Sequence, residues 1–347
     1  MSNNNNILWI DFLKIVAMFG VVLLHVTTPI FTMFGKIPIS YWWAANIYNS
    51  PARLCVPLFF MISGYFLLEK SEKLSYFFIK RIKKVVIPLL VWSIIFLVWK
   101  KIVFGQDIYL YSFYTLIIDP VFFHFWFMYV LIGVYLIIPI LRIFSMNAND
   151  HTKYYFVLIW FFAVSIIPQI EKFAGLESQL DLLAISGFVG YFLLGHIIRH
   201  IRITKKIFVI SNIILIIGLL FTIFSTYYVS NRSGRFNEYF YGYLSPNIIV
   251  LSIVFFISIK FVLQGSKFKN KFGEKIIKTV SSASLGIYFI HPIFLHHLNN
   301  QDFGFSLSAL SGNPIIYIPI TTIVTFLLSF LIINILQKIP LIKHCVP

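Results

Sequence analysis

Apolar runs of about 20 residues recur along this chain, separated by short polar connections, and runs of that length read as transmembrane helices. The pattern predicts spans near 7–28, 51–69, 85–104, 121–141, 153–170, 181–199, 206–229, 244–264, 281–298 and 314–337. The expected fold is all-α, a polytopic integral membrane bundle of about ten transmembrane helices. No stretch is long or polar enough for a separate soluble domain, so one membrane domain over 1–347 is expected. Residues 71–84, SEKLSYFFIKRIKK, interleave Leu74, Phe77, Phe78 and Ile82 with cations. That pattern predicts an amphipathic helix lying at the cytoplasmic interface.

Composition agrees with the pattern. Charged residues make up only 12% of the chain, against roughly 25% in a soluble domain. The net charge of +16 would suggest nucleic acid in a soluble protein. Here the cations gather in alternate connections: Lys70, Lys73, Lys80, Arg81, Lys83 and Lys84; Arg199, Arg202, Lys205 and Lys206; Lys267, Lys269, Lys271, Lys275 and Lys278. The intervening connections carry acids instead, among them Asp107, Asp119, Glu171, Glu177 and Asp302. This bias places both termini in the cytoplasm and makes the lipid bilayer, not nucleic acid, the expected partner. The two cysteines, Cys55 and Cys345, are expected on opposite membrane sides and unpaired. The first span carries Asp11 and Lys14 and lacks a small-residue cleavage site, so it reads as a retained helix rather than a signal peptide.

Charged groups inside a span cost about 2.5–3.5 kcal/mol each and are default functional candidates. The first span holds Asp11, Lys14 and His25. On a helix Lys14 and His25 differ by roughly 20° in azimuth and roughly 16 Å along the axis. A cation and an imidazole thus face one cleft from opposite ends. A long donor with an anionic end, such as an acyl coenzyme A, fits that layout, with His25 deprotonating an acceptor hydroxyl. The plainer reading is an i,i+3 ion pair at Asp11–Lys14 and a His25 bonded to a backbone carbonyl.

The motif WIDFLKIVAMFGVVLLH resembles the opening of the acyltransferase-3 family of integral membrane acyltransferases, in which Arg or Lys is followed by ten residues and His. Lys14 and His25 match the spacing. Most members carry Arg at the first place, and lysine keeps the charge but loses bidentate phosphate recognition. NSPARLCVPLFFMISGY, KRIKKVVIP, HFWFMYVLIGVYLIIP and SLGIYFIHP resemble further family motifs in family order. They place Arg53, Ser63-Gly64-Tyr65, Arg81, Lys84, His124, Trp126, Tyr129, Pro139 and His291 at motif positions. In detail they resemble the branch that contains the O-acetyltransferase of enterobacterial common antigen.

The resemblance implies a multi-pass enzyme of the bacterial inner membrane. It would move an acetyl group from cytoplasmic acetyl-CoA, a co-substrate, to a hydroxyl of a surface polysaccharide or its lipid-linked precursor outside. His25 would be catalytic. Lys14, Arg81, Lys84 and Tyr129 would meet the donor, and Arg53, His124, Trp126 and His291 the acceptor. Self-association is compatible with the resemblance and not fixed by it. Each residue has a plainer reading: Arg53 as a snorkelling cation, Trp126 as an interfacial anchor, Tyr129 as packing, His291 as a structural hydrogen bond, and Arg81 and Lys84 as lipid-headgroup contacts. Arg232, Arg235 and Glu238, among the tyrosines of NRSGRFNEYFYGY, suit either an acceptor or a solvated loop. His296 and His297 are adjacent and do not share a helix face; with no H-E-x-x-H or Cys/His cluster, no metal site is expected. The competing class is a polysaccharide or solute transporter without acyl chemistry. It would favour matched, broken-helix halves, which the chain lacks, as it lacks a P-loop motif.

Overall fold

The computed structural model describes residues 5–106, 119–174, 187–264, 271–340 and 342–346. Asp107, Glu177, Asp181, Lys267 and Lys269 lie outside these. Among the described residues the chain is helical, with no strand. Helix α1 covers Asn5–Phe31, α2 Ile39–Ala52 and α3 Cys55–Leu67. Helix α4 runs from Leu74 to Phe104 through a π-helical turn at Ile82–Val86. Helix α5 covers Trp126–Asn147. Helix α6 runs from Asp150 to Ala174 through a second π turn at Phe162–Ile166. The remainder are α7 (Val189–His200), α8 (Lys205–Ser233), α9 (Pro246–Leu263), α10 (Lys271–Ser282), α11 (Ser284–Asn299) and α12 (Pro314–Leu336).

Among the described residues, eight helical stretches are long and apolar enough to cross a membrane, and the α10–α11 pair, bent by 65°, makes a ninth if counted as one span. The expected sixth span, 181–199, begins outside the described residues; its described part is α7, whose 12 residues are too few to cross on their own. Two expectations change. The second span begins at Ile39 rather than near 51, because α2 and α3 form one broken span, Ile39–Leu67. The break falls at Arg53–Leu54, where Pro57 has no N–H to offer the Arg53 carbonyl. Residues 74–84 are helical but are not a separate interfacial helix; they are the first turns of α4. Pro88 cannot bond the Lys84 carbonyl, and the π turn absorbs the fault, with the Ile87 N–H bonding the Ile82 carbonyl.

Helix α1 is the central post, packed against α2, α3, α9, α10, α11 and α12. Trp9, Ile10, Leu13, Ala17 and Val22 on it are fully buried. Helix α8 is peripheral, and Ile213, Ile216, Ile217, Leu220 and Phe224 turn an apolar face outward, as lipid requires. Helices α3 and α7 cross closely through glycine: a Cβ on Gly64 would lie 2.0 Å from the Phe192 carbonyl oxygen, and one on Gly195 2.0 Å from that of Met61. Small residues permit this backbone approach in membranes. Trp9 packs edge-on to Tyr65 near the start of α1, and Asn49 of α2 bonds Thr27 near its end, so the α2–α3 span runs antiparallel to α1. Ser281 donates to Asp11 at 2.7 Å and Gln337 to the Ser282 carbonyl at 3.1 Å, so the start of α1 and the end of α12 meet at one end of the bundle. Cys55 and Cys345 are free thiols.

Candidate active site

The stripe read from the first span is the wall of a cavity. Lys14, Met18, Val21, Leu24 and His25 all line a space of about 330 Å³. Steps of four, three, three and one residues keep them on one helical face. The opposite wall comes from α3, α4, α5 and α11, with Tyr243 from the loop before α9.

One end is cationic. Lys14, Arg81 and Lys84 line it. Lys14 is 3.3 Å from Asp11, so the plainer i,i+3 pairing does form, yet Lys14 still faces the cavity. Arg81 and Lys84 bracket the start of the π turn, a device common at functional sites. The Arg81 guanidinium lies over Phe77 at 5.2 Å and Tyr135 at 5.4 Å. Its Nε is buried and has no hydrogen-bond partner among the described residues. A donor left in that state costs about 1–3 kcal/mol, which an anionic ligand would relieve. Nearby, burial and then the charge of Lys80 lower the Lys70 ammonium below its usual range, with Glu72 opposing and Arg81 and Lys84 adding to the effect. The crowding shows how positive this mouth is. Ser63, Ser281, Ser282 and Ser284 add hydroxyls to the lining.

The other end is aromatic and imidazole-rich. His25 is half-buried, and no hydrogen bond to its ring occurs among the described residues. Aromatic packing holds it: Phe123 edge-on at 4.9 Å and His291 stacked at 5.1 Å with the planes 28° apart. The reading of His25 as a carbonyl-bonded structural histidine therefore fails. His291 is fully buried. Its Nδ1 lies 2.8 Å from the Tyr288 carbonyl and 3.2 Å from that of Ile287. Those acceptors assign the proton to Nδ1, which leaves Nε2 buried and without a partner among the described residues. His124 is buried and lies 5.4 Å, ring to ring, from His291. The Tyr288 hydroxyl donates to the His124 carbonyl and so ties α11 to the start of α5. Trp126 stacks on Tyr243 at 5.5 Å with planes 23° apart, and both line the cavity.

Arg53 is not in the cavity wall. Its Nε donates to Asn49 at 2.7 Å, and its guanidinium lies 4.5 Å over Tyr241 and 5.9 Å from Tyr243, so it stands directly behind a cavity residue. Tyr129 is half-buried on α5 and is not among the cavity-lining residues, whereas Phe127, Met128, Leu131 and Tyr135 of the same helix are. Arg232, Arg235 and Glu238 are exposed, but the tyrosines of that loop are not a solvated set. Tyr241 is buried and bonds Asn46 and Ser50. Sequence reasoning did not single out Phe123, Tyr135, Tyr243 or Tyr288. The motif HFWFMY follows the first directly, and the tyrosines lie within the motifs HFWFMYVLIGVYLIIP, NRSGRFNEYFYGY and SLGIYFIHP, where their place in the cavity wall shows only through tertiary packing.

A family model described as an acyltransferase domain matches residues 7–334. The chain belongs to the acyltransferase-3 family. No curated protein and no solved structure gives a match. The helices and the family together make it a multi-pass membrane acyltransferase, which sets aside the transporter reading. For an acyltransferase-3 protein, a single cavity with cations at one end and an imidazole at the other has a direct chemical use.

Proposed function

We propose that this membrane acyltransferase transfers an acetyl group from acetyl-CoA to a sugar hydroxyl of a surface polysaccharide or its lipid-linked precursor. Donor would come from the cytoplasmic side of the bacterial inner membrane and acceptor from the outer side. The observation that supports this reading is the shared cavity, whose wall includes both Lys14, Arg81 and Lys84 and His25, His124 and Trp126.

The donor's phosphates sit among the cations at the mouth, where charge-assisted hydrogen bonds are strong. The thin arm follows the apolar stripe of Met18, Val21 and Leu24 and brings the thioester to His25. His25 accepts the proton of the acceptor hydroxyl as its oxygen attacks the thioester carbon. The tetrahedral intermediate collapses, the carbon–sulfur bond breaks, and the imidazolium returns a proton to the departing thiolate. The sugar gains an ester and CoA leaves as the thiol. Trp126 and Tyr243 offer a stacked aromatic surface for a sugar face. Arg53, behind Tyr243, fixes that ring and adds positive potential near the developing oxyanion.

The test is thiol release from acetyl-CoA by purified protein in detergent, with N-acetylated sugars and lipid-linked glycans as acceptors. Wild type forms acetylated product and His25→Ala does not. Equal product from both removes His25 from the chemistry. Exposure to labelled acetyl-CoA without acceptor separates this direct route from an acyl-histidine route, because a stable label on His25 contradicts direct transfer.

A further inference from the structure

A second cluster of ligating side chains lies outside the cavity. Glu69 and His200 are 131 positions apart in sequence, so no local motif marks them. Glu69 follows the end of α3. His196 and His200 stand one turn apart on a single face of α7. The close α3–α7 crossing through Gly64 and Gly195 brings the three together.

Glu69 Oε1 lies 3.2 Å from His196 Nδ1 and 2.6 Å from His200 Nε2. The three donor atoms all fall within 4.8 Å of one another. The His196 side chain is only 4% exposed, and its Nδ1 is buried with no hydrogen-bond partner among the described residues. A buried nitrogen facing a carboxylate without a hydrogen bond is costly, and an electrophile held between the two would relieve that cost. Arg199 Nε stands 4.0 Å from the other carboxylate oxygen, Oε2, and its Nη1 donates to the Tyr65 carbonyl at 2.8 Å. Arg199 thus adds a long ion pair on the carboxylate oxygen that the imidazoles leave free. The His200 side chain is 58% exposed, so one side of the cluster opens to water.

We propose that Glu69, His196 and His200 form a binding site for one divalent transition-metal ion of the zinc type. Two imidazole nitrogens and one carboxylate oxygen, with a position left for water, are a donor set such ions accept. Bonds near 2.0–2.2 Å place tetrahedral donors roughly 3.3 Å apart. The His196 distance already suits this, and the exposed His200 ring can move outward to suit it. The ion clamps the connection between α3 and α4 onto the end of α7. That connection leads directly into the helix bearing Arg81 and Lys84, so the site braces the cationic mouth without taking part in acyl chemistry.

The test is titration of the tag-free, full-length protein in detergent with cobalt(II), a spectroscopic stand-in for zinc. Wild type develops visible d–d absorption that saturates at one ion per chain, and the metal raises its unfolding temperature. His200→Ala, at an exposed position, and Glu69→Gln, which keeps the side-chain volume, lose the band or weaken binding by more than about 10–100-fold. His151→Ala, at an exposed histidine elsewhere, keeps the wild-type response. Absence of the band in wild type, or its persistence in His200→Ala, overturns the proposal.

Discussion

Arg142→Met offers a demanding test of how the cationic mouth is held. Arg142 reaches from α5 to the segment between α3 and α4. Its Nε donates to the Leu67 carbonyl and its Nη2 to Glu72, each at 2.9 Å. Its guanidinium lies 4.9 Å over Phe77. The two charged side chains are 9% and 11% exposed. Methionine keeps apolar bulk, but it strands the Glu72 carboxylate in a buried place and frees the Leu67 carbonyl. Breaking one half of a buried pair costs about 3–5 kcal/mol. Replacing both halves, as Arg142→Met with Glu72→Gln, removes the stranded charge and leaves mainly the Leu67 carbonyl, worth about 1–3 kcal/mol. The double variant is therefore more stable than the single one. Denaturant unfolding in detergent, followed by tryptophan fluorescence, measures both. A single variant within about 1 kcal/mol of wild type, or a double variant less stable than the single, refutes the assignment of a buried, mutually dependent pair.

His291→Ala removes the ring stacked on His25, and a misplaced base costs about 10²-fold; kcat falls by that order while acetyl-CoA affinity measured by calorimetry holds. An unchanged kcat dismisses His291 as the group that positions His25. Gly64→Ala puts a methyl against the Phe192 carbonyl at the α3–α7 crossing and destabilises the protein by about 1–3 kcal/mol, read by the same unfolding assay. Arg81→Ala raises the KM for acetyl-CoA at least tenfold with a smaller change in kcat, measured by thiol release; an unaltered KM removes Arg81 from the donor site.

Much of the fold was legible because lipid demands long apolar runs, and such runs are visible without knowing their neighbours. One exception was α2. Its sequence, ISYWWAANIYNSPA, is too polar to read as a span, yet Asn46, Asn49 and Ser50 are buried. Beside local bonds within the helix, distant groups help satisfy them: Asn46 donates to the Ile223 carbonyl, Asn49 to Thr27, and Ser50 bonds Tyr241. A tertiary network of this kind leaves no periodic trace. The basic segment 74–84 misled for a related reason, since nothing local distinguishes an interfacial helix from the first turns of a span joined through a π turn. At the site, the alignment of Lys14 with His25 followed from helix geometry alone. The stacking of Tyr243 on Trp126 and of His291 on His25 did not, because each joins elements far apart in sequence. Tyr129 holds a motif position but is not among the residues of its helix that line the cavity.

The most direct test of the central claim is a structure of the protein with a non-transferable acetyl-CoA analogue bound. The account predicts phosphates among Lys14, Arg81 and Lys84, the arm along Met18, Val21 and Leu24, and the acyl carbon beside His25. An analogue bound outside this cavity, or lying in it with its acyl end among the cations, contradicts it.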